Sequence, residues 1–202
     1  MRHVLLPILG LLLLQPQDPS LLLVRGVPPS RPLGTLATGV SVVEVEMDGR
    51  TRSVQTRQLY GQPPFVTPGL NALMSWDFAV PPGTAAARTS VTFLYRSPAI
   101  YAARIPPIAV KPWAPGQNTS ALPQQVVDPG YPMTSTAEGI VTLAVRIDTE
   151  GAVIGVERVS GDAALFEQSQ IALKSWKFSP ARVANNAVNS TAYVVISFVR
   201  PT

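Results

Sequence analysis

The sequence predicts an α+β protein built of two tandem β-β-α-β modules, each a small antiparallel sheet covered by one helix. Three observations carry that expectation. Ala72, Leu73, Ser75, Trp76 and Phe78 recur one hundred residues later as Ala172, Leu173, Ser175, Trp176 and Phe178. The match runs back without a gap through Gly61/Gly161, Asp48/Asp148 and Val45/Val145 to Gly39/Gly139. The chain has only three tryptophans, so two Ala-Leu-x-Ser-Trp-x-Phe strings indicate duplication, and a fixed offset is the mark of a repeated unit. Finally, period-two alternation precedes each of these strings, as half-buried strands require.

In the first module, residues 41–48 place Ser41, Val43, Val45 and Met47 on one side and Glu44 and Glu46 on the other. Asp48-Gly49 is a hairpin signal, and residues 51–60 supply the returning strand. Thr67-Pro68 reads as an N-cap with proline at the first helical position, opening a short helix that ends near Trp76. Residues 89–96 (TSVTFLYR) form a third strand, rich in β-branched and aromatic side chains. The second module repeats the plan. Residues 139–148 alternate, Asp148-Thr-Glu-Gly151 closes a hairpin, and residues 152–160 return. Asp162 caps a helix over 163–176. On it Leu165, Ser169, Ala172 and Trp176 fall at spacings of four, three and four, on one face. Residues 191–199 close the module, aligned with 89–96 by a four-residue insertion.

The flanks read differently. Met1-Arg2-His3 precedes an eleven-residue apolar run, VLLPILGLLLL. That pattern resembles an export signal, and the run is shorter than the roughly 20 residues a membrane span needs. Residues 1–26 are therefore expected to be a signal peptide or short membrane anchor, with the first module over 27–96. Residues 97–127 carry six prolines and are expected to be an extended linker, with Trp113 docking on a module. The second module spans 128–202.

Composition narrows the function. The chain lacks cysteine, which excludes disulfides, thiolate nucleophiles and cysteine metal sites. Its net charge of +4 is thinly spread. Arg50, Arg52 and Arg57 are the one local basic cluster, too sparse for a nucleic-acid stripe. Asp48 and Asp148 are turn residues. Neither an acid–base pair nor a nucleophile with its base is evident, so neither enzymatic activity nor a cofactor is expected.

The second module carries a recognisable series: Asp128-Pro-Gly-Tyr131-Pro132, Ala137, Gly139, Asp148-x-x-Gly151, Ser160-Gly161, Ala172 and Trp176-x-Phe178-x-Pro180-Ala181. It resembles the TonB C-terminal domain family over residues 128–202, and the first module resembles a degenerate copy. The resemblance implies a periplasmic interaction domain of Gram-negative bacteria. Such a domain captures a short extended peptide of an outer-membrane receptor, the TonB box, beside its last strand. A retained N-terminal anchor would also imply contact with the inner-membrane ExbB–ExbD motor. Carried over, the partner-binding residues are Tyr131 and Pro132 at the lead-in and Tyr193, Val195, Ser197 and Val199 on the capture edge. Trp76, Phe78, Leu165, Ala172, Trp176 and Phe178 are expected to be core. The alternative is a soluble periplasmic adaptor or envelope-structural protein uncoupled from the motor.

Overall fold

The computed structural model describes residues 18–32, 35–110 and 118–201. In order, these form β1 (Leu22–Arg25), β2 (Gly39–Asp48), β3 (Val54–Tyr60), α1 (Pro63–Leu73), β4 (Asp77–Ala79), β5 (Ala86–Tyr95) and β6 (Leu122–Gln125). There follow β7 (Gly139–Ile147), β8 (Val153–Ser160), α2 (Ala163–Leu173), β9 (Lys177–Ser179), β10 (Ala181–Val183), β11 (Asn186–Val188) and β12 (Ser190–Phe198). The fold is α+β, with a six-stranded sheet in the order β3-β2-β5-β12-β7-β8. Its pairings are antiparallel except at the centre, where β5 and β12 run parallel. One sheet therefore joins the two halves of the chain.

Alternation along the strands assigns the two faces. Val43, Val45 and Met47 of β2 join Val91, Phe93, Tyr193 and Val195 in one core with Leu73 of α1. Val40 and Val42 join Leu94, Val194 and Ile196 in the other, with Leu165 and Leu173 of α2. The helices thus cover opposite faces, as a half-turn about an axis along the strands requires. Ladder register fixes the repeat at its end: Ser90 stands opposite Glu44, and Tyr193 opposite Ala144. The second half therefore gains three residues rather than four, and the β10–β11 hairpin lies in the lengthened stretch. Its turn residues Ala184 and Asn185 sit at φ of 48° and 68°.

Trp76 and Trp176 end their helices in the same way. Both are buried, and each indole N–H donates to a carbonyl lying well upstream: Trp76 to Val27 at 2.7 Å and Trp176 to Val127 at 2.9 Å. Phe78, Leu165, Ala172 and Phe178 are buried beside them. Asp162 caps α2, its carboxylate accepting from the Ala164 N–H at 2.8 Å. Helix α2 stops at Leu173, three residues short of the expected end, and the Ser175 and Trp176 N–H groups turn back onto Ala172 and Leu173.

Other parts of the fold also differ from the sequence reading. Helix α1 opens at Pro63-Pro64, where two missing N–H groups would have had no intrahelical partner. Thr67 lies inside it, its hydroxyl donating to the Pro63 carbonyl at 3.2 Å. The first half of the fold starts before residue 27. Leu21 is fully buried, and β1 pairs with β4, so the described residues from 18 pack with the first half. An export or anchor role for 1–17, and docking of Trp113, lie outside the described residues. Among the described residues of 97–127, Ile108, Val110, Ala121, Leu122 and Val126 are buried, and β6 pairs with β9. Glu44, expected to face solvent, is 3% exposed and accepts from the Ser120 hydroxyl at 2.7 Å. The segment carrying Ser120 covers the face that alternation alone assigns to water.

Candidate functional site

The strand expected to capture a peptide is not an edge. Along β12, Ser190 to Phe198 pair antiparallel with β7, and Tyr193 to Ser197 pair parallel with Val91 to Tyr95 of β5. Main-chain groups on both sides are engaged, so a peptide could add there only by displacing β5. The side chains are enclosed as well. Tyr193, Val195 and Ser197 are buried, and Val199 beyond the strand is half-buried. The Tyr193 hydroxyl accepts from the Leu23 N–H at 2.7 Å and donates to the Leu21 carbonyl at 3.1 Å. Burial raises its pKa, the Leu23 bond lowers it and nearby Asp18 raises it. Its visible role is to dock the chain around β1.

Tyr131 and Pro132 are also interior. The Tyr131 N–H donates to the Ile100 carbonyl at 2.8 Å, and its hydroxyl donates to Ala137 at 2.9 Å. Next to them lies a group that sequence reading missed. The side chains of Arg96 and Asp128 are both fully buried and form an ion pair through Nε and Oδ1. Asp128 also accepts from the Gly130 and Ala103 N–H groups, each at 2.9 Å. Arg96 donates from Nη2 to Ala99 at 3.1 Å and lies 5.3 Å from the Phe198 ring centre. Arg31, whose pKa is lowered by burial, donates to the Arg96 carbonyl at 2.9 Å. A buried charge is tolerated when it is paired; here the pair and three further hydrogen bonds are made, while Nη1 of Arg96 and Nη1 of Arg31 stay buried without a partner. This node ties the end of β5 to the start of the second half. It was hidden because its partners are 32 residues apart, with no periodic signal to link them.

The unpaired edges lie elsewhere. Among the described residues, β3 and β8 each have one neighbour and one open side. On β3, residues 54–58 are exposed and mostly polar. On β8, Ile154 is 53% exposed and Val159 43%, while Val153 and Val156 pack against the core beneath α2. Glu157 is exposed and stands 3.8 Å from Arg146, and the Arg158 guanidinium lies 5.8 Å from the Phe166 ring centre. The β7–β8 turn is tightly built. Asp148 accepts from the N–H groups of Glu150 and Ala152 at 2.9 and 2.8 Å, and Gly151 sits at φ +83°. A Cβ on Gly151 would come within 1.9 Å of the Phe178 carbonyl oxygen, so this position demands glycine on two grounds. An open strand with two exposed apolar side chains, each beside an irregularity of the β7–β8 ladder, offers main-chain hydrogen bonds and side-chain contacts together.

Two clefts accompany the sheet. One, of about 550 Å³, is lined by Thr38, Tyr60, Phe65, Arg104 and Ile105 among others. The other, of about 310 Å³, lies among Glu46, Arg88, Asn118 and Arg182. Its guanidinium groups are already engaged, Arg88 by Glu46 at 3.0 Å and Asn118 at 2.6 Å, Arg182 by the Asn185 carbonyl at 2.8 Å. Among the described residues, no three His, Asp or Glu side chains converge in a metal-binding group, and no helix is long and apolar enough to cross a membrane. No family model matches the chain, and neither curated proteins nor solved structures give a match.

Proposed function

We propose that this protein is a non-catalytic interaction protein of two tandem β-β-α-β modules, related to the TonB C-terminal type, that captures an extended partner peptide by strand addition at β8. The observation that carries this is the open side of β8, where Ile154 and Val159 stand exposed on a strand paired only with β7. An incoming peptide would complete the ladder and cover those side chains, the two components of β-augmentation. The motif series from Asp128 to Ala181 supports an exported, periplasmic protein whose partner peptide is TonB-box-like and belongs to an outer-membrane receptor. A retained apolar N-terminus would add contact with ExbB–ExbD.

The reading of a periplasmic adaptor or envelope-structural protein uncoupled from the motor draws on a different observation. The strand that the resemblance assigns to receptor capture is filled by β5 within the same chain. Titration of the full chain with a TonB-box-like peptide, followed by amide NMR shifts, tests the capture reading. Shifts confined to Val153–Ser160 are expected. Shifts along Tyr193–Phe198 instead, or none at millimolar peptide, overturn capture at β8.

A further inference from the structure

We propose that the apolar face beside β1 is a docking groove and that its occupant is the chain's own residues 5–10. The two halves are covered unequally at equivalent positions, although their covering segments are anchored alike. The Trp76 and Trp176 indoles hold the Val27 and Val127 carbonyls. The Ser90 hydroxyl donates to the Ala121 carbonyl at 2.5 Å, as the Tyr193 hydroxyl does to Leu21 at 3.1 Å. Ser90 and Tyr193 are themselves equivalent, since they stand opposite Glu44 and Ala144. In the first half a further stretch joins this layer. Ile108 and Val110 are buried in one core with Val40, Val42 and Leu122, and Ile105 packs against it. The Ile108 N–H donates to the Gln124 carbonyl of β6 at 2.8 Å.

The same places are open in the second half. Leu122 is 1% exposed and Leu22 is 49% exposed; Val24, which stands where Gln124 does, is 68% exposed. Val40 and Glu44 are buried, whereas Ile140 and Ala144 are only half-buried. All four of these second-half positions are apolar, and neighbouring apolar side chains left to water mark a surface that something covers. The hundred-residue offset names the occupant. Leu5, Pro7 and Ile8 stand at that offset from Ile105, Pro107 and Ile108, and Gln17 from Gln117. As many residues separate Ile8 from Val24 as separate Ile108 from Gln124, so the chain's reach is the same in both halves. A proline biases the residue before it toward an extended backbone, the form that a segment lying along a strand needs. The apolar run that reads as an export signal is thus, by position, the counterpart of a stretch that packs on the sheet. The inference goes beyond peptide capture at β8 and rests on no part of it.

The test is a double-mutant cycle in the full chain, read by urea unfolding and by amide hydrogen exchange. Ile8→Asp should lower the urea midpoint and speed exchange of the Leu22–Arg25 amides by about tenfold. Val24→Asp should lower the midpoint too, and the double variant should fall no further than the larger single, because both changes break one contact. Leu14→Asp adds the same charge outside residues 5–10 and should leave both readings unchanged. Dilution should alter none of this. An Ile8→Asp chain indistinguishable from the parent, additive midpoints, or an effect that Leu14→Asp reproduces overturns the proposal. So does protection of β1 that is lost on dilution, which would put a neighbouring copy's segment in the groove. Mass spectrometry of the protein taken from its own cell adds a reading free of folding effects. A chain that keeps residues 5–10 is expected, and one that begins after residue 10 overturns docking. Peptide-induced shifts along Val153–Ser160 should be alike in parent and Ile8→Asp, so failure of either reading leaves the other standing.

Discussion

The two halves of this molecule share a plan and differ in how firmly it is held. α2 is capped by Asp162 and buries Leu165 and Trp176 completely. α1 starts on two prolines without a side-chain cap, contains Pro68, and leaves Trp76 at 5% exposure. Asp128 neutralises Arg96, whereas the equivalent position in the first half is Pro28. Gly151 brings the β7–β8 turn against Phe178, its N–H bonding Gly151 at 3.0 Å, while Thr51 occupies that place in the first half. The second half thus carries a helix cap and a turn contact that the first lacks, and the two are joined through one sheet. β5 of the first half lies against β12 of the second.

The largest expected effect tests that join. Trp176→Ala should cost about 3–5 kcal/mol, the usual range for a buried large-to-small change. Because the sheet is shared, urea unfolding should remain one transition. Trp76→Ala should cost less and also act on the whole chain. Two separated transitions in either variant would show that the halves fold independently. Asp128→Ala should be of similar size, about 3–5 kcal/mol, because it leaves Arg96 charged and buried without its carboxylate. An unchanged urea midpoint would mean that water reaches Arg96.

Gly151→Ala should destabilise by more than ~1 kcal/mol from the positive φ alone, with the close Phe178 carbonyl adding to it, whereas Thr51→Ala should be nearly silent. Equal melting temperatures for the two variants would remove that asymmetry between the hairpins.

The smallest effect concerns Tyr95. Its hydroxyl is buried without a partner, and burial pushes the phenol pKa up. A raised folded pKa means that the neutral form is favoured in the fold. The contribution is therefore complete below about pH 10, the unfolded value, and is lost as pH climbs toward the folded one. Tyr95→Phe should leave stability at neutral pH within about 1 kcal/mol or raise it slightly, and should flatten the alkaline loss. A steep fall at neutral pH would show a hydrogen bond to that hydroxyl.

Much of the architecture was legible in the residues. The alternation at Val43-Val45-Met47, the Asp-Gly and Asp-x-x-Gly turns and the Asp162 cap are local signals, and the strands and α2 follow them closely. What escaped depends on contacts distant in sequence. Ser20/Ser120, Val27/Val127, Pro29/Pro129 and Pro32/Pro132 continue the same hundred-residue offset. They mark the segments that receive the two indoles and cover the sheet, yet their high proline content reads as leader and linker. Glu44 shows why polarity misleads: Glu44 and Glu46 follow Val40 and Val42 on one side of β2, and a serine from a crossing segment takes the Glu44 carboxylate. The candidate site suffered most. Whether a strand is an edge depends on its neighbour, and nothing within residues 190–198 shows that β5 lies beside them.

Under the proposed function, a partner peptide binds at the open strand β8 and not at the enclosed strand β12. Residue-level hydrogen exchange, with and without a TonB-box-like peptide, addresses it directly. β12 amides should exchange only with global unfolding in both states, while the outward amides of Val153–Ser160 exchange quickly alone and become protected with peptide. Peptide-induced protection at β12, or a β8 that exchanges equally fast in both states, would contradict it.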